Sequence, residues 1–306
     1  TPRIFTPGMA QESPHIGILN ISDGCLDACS FCSTRLVKGK HRSVSPEKIL
    51  SEAKRYLENG CKELWLTGQD TSCYGFDIGT NLAELAKKIL EQNSGDYKIR
   101  LGMGNPRHLE KYLDEMLSVY EDDRIYKFIH LPVQSGSDPV LQAMGRKHNV
   151  NTFRKMAEAF ISKFSYFTLS TDIIVGFPGE TREDFEQTCK LISDLKPSIC
   201  NITRFVARPN TVAEKLPNKI PGKEQHYRSA TLSELFQKIA LENNLSRVGK
   251  TARVLTEKSG HRNGTYIARD EAYRSIALKG NYKPGTWLNV QIEKAETFAL
   301  LAKEVL

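Results

Sequence analysis

The chain has 306 residues, 40% of them hydrophobic and 26% charged, with a net charge of +7. This length suits a main domain plus a smaller one, and the balance is globular rather than disordered or fibrous. No apolar run reaches the roughly 18 residues of a membrane span, no secretory leader pattern opens the chain, and seven unevenly spread cysteines do not make the framework of a secreted disulfide domain.

Residues 1–14 carry Pro2, Pro7 and Pro14 and read as a linker from an upstream domain. A strand-then-helix rhythm follows. His15–Ser22 predicts a strand. Pro46–Asn59 predicts a helix, with Ile49, Leu50, Ala53, Tyr56 and Leu57 at helical spacing. Ser45 stands at its N-cap position and Pro46 in its first turn. The strand Lys62–Gly68 leads to helix Asn81–Asn93, and the strand Lys98–Met103 leads to helix Leu109–Tyr120. Strand Lys127–Val133 precedes helical stretches between Asp138 and Phe164, and strand Phe167–Val175 precedes helix Thr181–Leu195. Strand Ser198–Val206 and the long helix Lys223–Ser246 complete six units. Alternation of this kind implies parallel pairing with right-handed crossovers, in an open doubly wound sheet or a partial barrel. In parallel barrels chemistry gathers on loops at the C-terminal ends of strands.

The rhythm changes near Arg247. Lys250–Thr256, Asn263–Arg269, Tyr273–Leu278, Thr286–Lys294 and Thr297–Lys303 are short strand patterns separated by turns. They predict a small closed all-β barrel over residues 247–306. Eleven Lys and Arg stand there against six Asp and Glu, so most of the net charge sits in this tail. With Tyr266, Tyr273, Tyr282 and Trp287 interleaved, a basic RNA-binding module is the expectation, and a merely solvated surface is the alternative.

Directly after the first strand comes Gly24-Cys25-Leu26-Asp27-Ala28-Cys29-Ser30-Phe31-Cys32, a C-x3-C-x2-C spacing. Three thiolates on one tight loop can each hold one iron corner of a 4Fe-4S cube and leave the last iron open to a chelating ligand. A zinc site is the alternative. It usually takes four ligands, and the nearest extra candidate, His41, lies nine residues past Cys32.

This spacing, with Phe31 before the last cysteine, resembles the radical S-adenosylmethionine (SAM) superfamily. Further stretches are similar to the methylthiotransferases, the group of MiaB and RimO: Thr67-Gly68-Gln69-Asp70-Thr71, His130–Ser137, Thr171–Glu180 and Arg208-Pro209-Asn210-Thr211. The resemblance runs from about Ile18 to Leu306, and the terminal barrel is similar to that family's TRAM domain. Ile99–Pro106, and Leu36 where bacterial members often carry proline, resemble the archaeal and eukaryotic branch. That branch adds a methylthio group at C2 of threonylcarbamoyladenosine beside the tRNA anticodon.

The resemblance implies a partial (β/α)6 parallel barrel over residues 15–246, with the cluster on Cys25, Cys29 and Cys32. It implies SAM contacts from Phe31, Gln69, Asp70, Gln134, Ser135 and Asp172. Asp172 ends an apolar run, so a ligand or a backbone partner must satisfy it. The expected partners are the tRNA anticodon stem-loop and an electron donor, for a monomeric cytoplasmic protein. RNA-contact candidates are Lys38, Lys40 and Arg42, with His41 beside them, then Arg208, Arg253 and Arg262. Full-length members carry three more cysteines upstream, for a second 4Fe-4S cluster that supplies sulfur. This chain alone is expected to cleave SAM without delivering a methylthio group. Cys61, Cys189 and Cys200 read as buried inert thiols, while Cys73 lies on a loop at the chemical end. A RimO-like enzyme acting on a ribosomal-protein aspartate and a non-catalytic zinc and RNA-binding module are the competing readings.

Overall fold

In the computed structural model, which describes residues 14–260 and 263–305, each predicted apolar run becomes a strand. These are β1 (Ile16–Asn20), β2 (Glu63–Thr67), β3 (Lys98–Leu101), β4 (Phe128–His130), β5 (Thr168–Val175) and β6 (Ile199–Arg204). They pair as two parallel triplets, β1-β2-β3 and β4-β5-β6. Ile16 faces Glu63 and Leu64 faces Ile99 in the first; Phe128 faces Thr168 and Ser170 faces Ile199 in the second. Single contacts bridge the seam between the triplets, Ile99 with Ile125 and Gly104 N–H with the His130 carbonyl at 2.9 Å. Spatial order therefore follows chain order, as in a (β/α) barrel, and among the described residues β6 and β1 do not pair. This is a partial (β/α)6 parallel barrel.

The helices are α1 (Pro46–Glu58), α2 (Leu82–Gln92), α3 (Leu113–Val119), α4 (Val150–Lys163), α5 (Arg182–Leu195) and α6 (Gly222–Leu245). Their apolar stripes bury Ile49, Leu85, Ile89, Phe160, Leu191 and Leu232 against Leu64, Leu66, Ile99 and Ile173 of the strands. Side chains cap several starts: Asn81 accepts from Glu84 N–H at 2.9 Å, and Asn149 from Thr152 N–H at 2.8 Å. Ser45 occupies the N-cap of α1 without a side-chain bond.

Two expected elements come out shorter. The helix predicted over Leu109–Tyr120 breaks into a turn at Pro106–Leu109, a 3-10 turn at Glu110–Tyr112, and α3. Tyr112 leaves the helical conformation at φ −143°, and its hydroxyl donates to the Ser72 carbonyl at 2.6 Å. β4 stops at His130 because Pro132 has no N–H for a ladder and Gln134 takes a φ of 80°.

The tail forms β7 (Thr251–Ser259), β8 (Thr265–Arg269), β9 (Ser275–Lys279), β10 (Trp287–Ala295) and β11 (Leu300–Glu304). They close a barrel in the order β8-β9-β11-β10-β7 around Val254, Ile276, Leu278, Val290, Ile292 and Leu300. The barrel docks on the N-terminal ends of the parallel strands, away from the cysteine loop. Tyr273 packs with Tyr126, Phe128 and Trp65, and the Arg100 guanidinium lies 5.2–5.5 Å from three of those ring centroids. Lys127 N–H donates to the Glu271 carbonyl at 2.8 Å, and Asn244 Nδ2 donates to the Glu296 carbonyl at 2.8 Å. Of the four aromatics expected on an RNA-facing surface, Tyr266 and Tyr273 are buried instead, one beside Tyr282 and one in this joint.

Candidate active site

The chain leaves β1 and turns sharply at Gly24, whose φ is +75°. The next residue, Cys25, forms an isolated bridge with Lys40. Gln69, on the loop after β2, accepts from Gly24 N–H through its Oε1 at 2.9 Å. Asp27 is buried, and its two oxygens take Asn105 Nδ2 at 2.6 Å and Arg107 Nη1 at 2.5 Å from the loop after β3. Ser30 N–H donates to the Met144 carbonyl at 2.8 Å, and the Ser30 carbonyl accepts from Ala213 N–H at 2.8 Å. Segments following four different strands thus fix one nine-residue loop.

Cys25, Cys29 and Cys32 all line a single cleft at the C-terminal ends of the strands. Three thiols are one short of the four ligands that a structural zinc usually takes. The donor set fits a cluster held at three irons with the fourth left open. His41 does not supply a fourth ligand here. It is buried, with Nε2 3.0 Å from Ser43 Oγ and Nδ1 3.4 Å from Cys73 Sγ.

The electrostatics are mixed. Burial, with Asp70 next in weight, pushes the Cys25 thiol up to about 12. Burial also raises Cys29, although the Arg146 guanidinium, 3.6 Å from its sulfur, works the other way. These thiols become thiolates only when a cation takes the place of the proton. Burial raises the Asp27 carboxyl, but His108 and Arg107 outweigh it and hold the group well below the carboxylate range.

Of the predicted SAM contacts, Phe31, Gln69, Asp70, Gln134 and Asp172 line the same cleft. Asp172 Oδ1 meets two side chains, His130 Nε2 at 2.9 Å and Asn201 Nδ2 at 2.8 Å. Burial lifts its carboxyl, and those hydrogen bonds bring it below the usual range. Ser135 is not brought to the cleft. It is fully buried against α5, with its Oγ 3.2 Å from Ser137 N and 3.4 Å from Thr188 Oγ1. Asp27, Thr34, Arg35, Met103, Asn105, Pro132 and Arg146 also line it and were not named as site residues from the sequence.

Lys38, Lys40 and Arg42 are exposed beside the cleft, with Lys38 3.6 Å from Asp23. His41, grouped with them in the sequence, turns inward. Arg208 is exposed and reaches Ser33 Oγ at 3.4 Å. Arg253 is engaged elsewhere: it forks onto Asp96 at 2.5 and 3.1 Å and covers the Trp287 ring. Arg262 lies outside the described residues. Cys61 and Cys200 are buried as expected, whereas Cys189 is only half-buried.

The family model of the radical SAM superfamily matches residues 19–192, and that of the TRAM domain matches residues 245–305. The chain is 42% identical to the probable threonylcarbamoyladenosine tRNA methylthiotransferase of Pyrococcus horikoshii, over 94% of this chain and 66% of that one. It is 38% identical to the protein of the same name from Methanothermobacter thermautotrophicus, over 95% of this chain and 68% of that one. It is 35% identical to the human threonylcarbamoyladenosine tRNA methylthiotransferase, over 89% and 46%. The chain therefore spans about two thirds of its archaeal relatives and about half of the human one. Among solved structures, a radical S-adenosylmethionine methyltransferase, TsrM of Kitasatospora setae, superposes with a TM-score of 0.53 at 13% identity, covering 65% of this chain and 38% of that one. That match speaks for the fold.

Proposed function

Since the chain belongs to the radical SAM superfamily and, within it, to the threonylcarbamoyladenosine tRNA methylthiotransferases, we propose that it carries the reductive SAM-cleaving step of tRNA methylthiolation. The observation that carries this reading is the cysteine loop: three thiols on one cleft at the chemical end of a parallel barrel. Cys25, Cys29 and Cys32 would hold a 4Fe-4S cluster. When bound, the cluster supplies one electron that breaks a C–S bond of SAM, giving methionine and a 5′-deoxyadenosyl radical for hydrogen abstraction.

The remaining work falls to the chain's own residues. Gln69, Asp27 and Ser30 hold the loop rigid, so the cysteines meet the cluster in one geometry. Arg146 places a fixed positive charge beside Cys29 and the cleft, where it offsets thiolate charge. Phe31 packs with Val140, Met144 and Phe177, giving an apolar wall against which an adenine ring can lie and from which water is excluded. Asp172, fixed by His130 and Asn201, offers an acceptor at the same mouth.

The substrate in this reading is threonylcarbamoyladenosine of tRNA, approached over the exposed Lys40, Arg42 and Arg208 and assisted by the TRAM-type barrel. In this reading a sulfur-donating second cluster is expected only in a full-length protein. An external reductant, a monomeric state and a reducing cytoplasm complete the proposal.

Anaerobic reconstitution followed by dithionite and SAM tests the reading. About four irons per chain and release of 5′-deoxyadenosine are expected. Cys25→Ala, Cys29→Ala and Cys32→Ala should each abolish both. A reconstituted protein that is inert toward SAM would sink the cleavage step. Unchanged tRNA methylthio content in a deletion strain would sink the substrate.

A further inference from the structure

We propose that Asp70, Cys73 and His108 form a separate zinc site behind the cysteine loop. One ligand atom from each lies within 4.8 Å of the other two. The residues are 2%, 0% and 2% exposed. They come from two places the fold brings together: the segment after β2 supplies Asp70 and Cys73, and the turn after β3 supplies His108.

The decisive observation is which polar atoms lack partners. Asp70 Oδ1 accepts from Ser72 N–H, Ser72 Oγ and Asn105 N–H at 2.5–3.2 Å, while Oδ2 takes none. Neither ring nitrogen of His108 makes a hydrogen bond. Asp70 Oδ2 stands 3.7 Å from His108 Nε2. Buried polar atoms normally find partners, and these converge on a thiol. A tetrahedral zinc ion holds nitrogen and oxygen ligands ~3.3 Å apart and sulfur and nitrogen ligands ~3.5 Å apart, given its usual bond lengths. The Asp70–His108 pair, at 3.7 Å, needs only a small contraction.

His41 lies beside the set. Its Nδ1 is 3.4 Å from Cys73 Sγ. Its other nitrogen is 3.0 Å from Ser43 Oγ and 3.6 Å from Asp77 Oδ1. One thiolate, one imidazole and one carboxylate suit zinc above harder cations. Asp27 Oδ1 stands 3.5 Å from the same His108 Nε2, and the Cys73 thiol donates to the Asp70 carbonyl at 3.3 Å. Neither contact gives a hydrogen bond to Asp70 Oδ2 or to the ring nitrogens of His108. The ion would tie the loops after β2 and β3 together beside Asp27, bracing the cysteine loop. None of Cys25, Cys29 or Cys32 takes part, and Asp70 is the one ligand that the site shares with the lining of the cleft.

The test uses the full chain carrying Cys25→Ala, Cys29→Ala and Cys32→Ala, stripped of metal and titrated with Co²⁺, then with Zn²⁺. The expected result is about one Co²⁺ per chain with a thiolate-to-cobalt charge-transfer band, displaced by Zn²⁺. Adding Cys73→Ser should abolish that band, and His108→Gln should weaken binding at least about tenfold. Should the triple variant fail to fold, zinc analysis of the cysteine-intact protein against its Cys73→Ala variant decides instead, with about one zinc expected in the first and none in the second. A folded triple variant that binds no Co²⁺ overturns the proposal. So does a charge-transfer band that survives Cys73→Ser, or a cysteine-intact protein whose zinc content Cys73→Ala does not change.

Discussion

At Gly24 the backbone takes a φ of +75°, and a methyl group there would stand 2.4 Å from the Lys40 carbonyl oxygen. Both facts exclude a side chain, because the conformation is unfavourable to L residues and the approach is backbone to backbone. Gly24→Ala is therefore expected to cost on the order of 1–3 kcal/mol and to shift Cys25 out of line with its partners. The check is a paired one: a lowered thermal midpoint, and iron per chain after reconstitution falling well below that of the wild type. A variant that unfolds earlier yet loads iron normally would detach the turn from the cluster geometry. At this scale the three cysteines were legible because their spacing is local. Arg146 and Asn105 were not, since they reach the loop from 117 and 78 residues away and only the fold brings them there. Ser135 shows the same limit: along Gln134-Ser135 the chain turns one side chain to the cleft and the next into α5.

Between elements, the strongest device outside the cleft is the clamp joining α6 to the start of α5. Thr181 and Asp184 form a reciprocal capping box. Just before it, Glu180 is buried and accepts from Arg228 of α6 at 2.8 Å, while Arg228 also donates to the Glu180 carbonyl at 2.9 Å and to Glu224 at 2.7 Å. Burial raises the Glu180 carboxyl, and Arg228 only partly counters it. Arg228→Met leaves that carboxylate without its cation and should cost about 3–5 kcal/mol. Arg228→Met with Glu180→Gln should recover part of the loss, because the stranded charge is gone. Chemical denaturation of the wild type, both single variants and the double variant measures the coupling. Strictly additive losses would mean the pair acts only through packing. Periodicity placed the six strands and most of the helices, but it could not show that the stretch over Leu109–Tyr120 breaks. Tyr112 abandons the helix for a buried hydrogen bond to Ser72, a tertiary gain that outweighs helical propensity.

Across the whole molecule, the cysteine loop and the small barrel sit at opposite ends of the parallel strands, so an RNA touching both must run along the side of the larger barrel. The joint between the two units therefore sets how such an RNA is presented, and Glu63 lies in it. Glu63 opens β2, is fully buried, and accepts from Trp65 Nε1 and from Tyr126 Oη. Burial drives its carboxyl up to about 7 from a reference of 4.5, with Glu257 adding to the rise and Trp65 and Arg269 opposing it. Below about pH 4.5 the carboxyl is neutral in folded and unfolded chains alike and costs nothing. Between that pH and about 7 the folded chain holds a proton that the unfolded chain has released, so stability falls as pH rises. The loss levels off once the folded group also ionises, and it totals on the order of 3 kcal/mol. Glu63→Gln keeps the shape and removes the titration. The variant should lose less stability than the wild type between pH 5 and pH 8, and be the more stable of the two at pH 8. Urea midpoints of both iron-free proteins at the two pH values measure this. Parallel pH profiles would show that Glu63 titrates normally, and with it that the joint between the units is wetter than its packing implies.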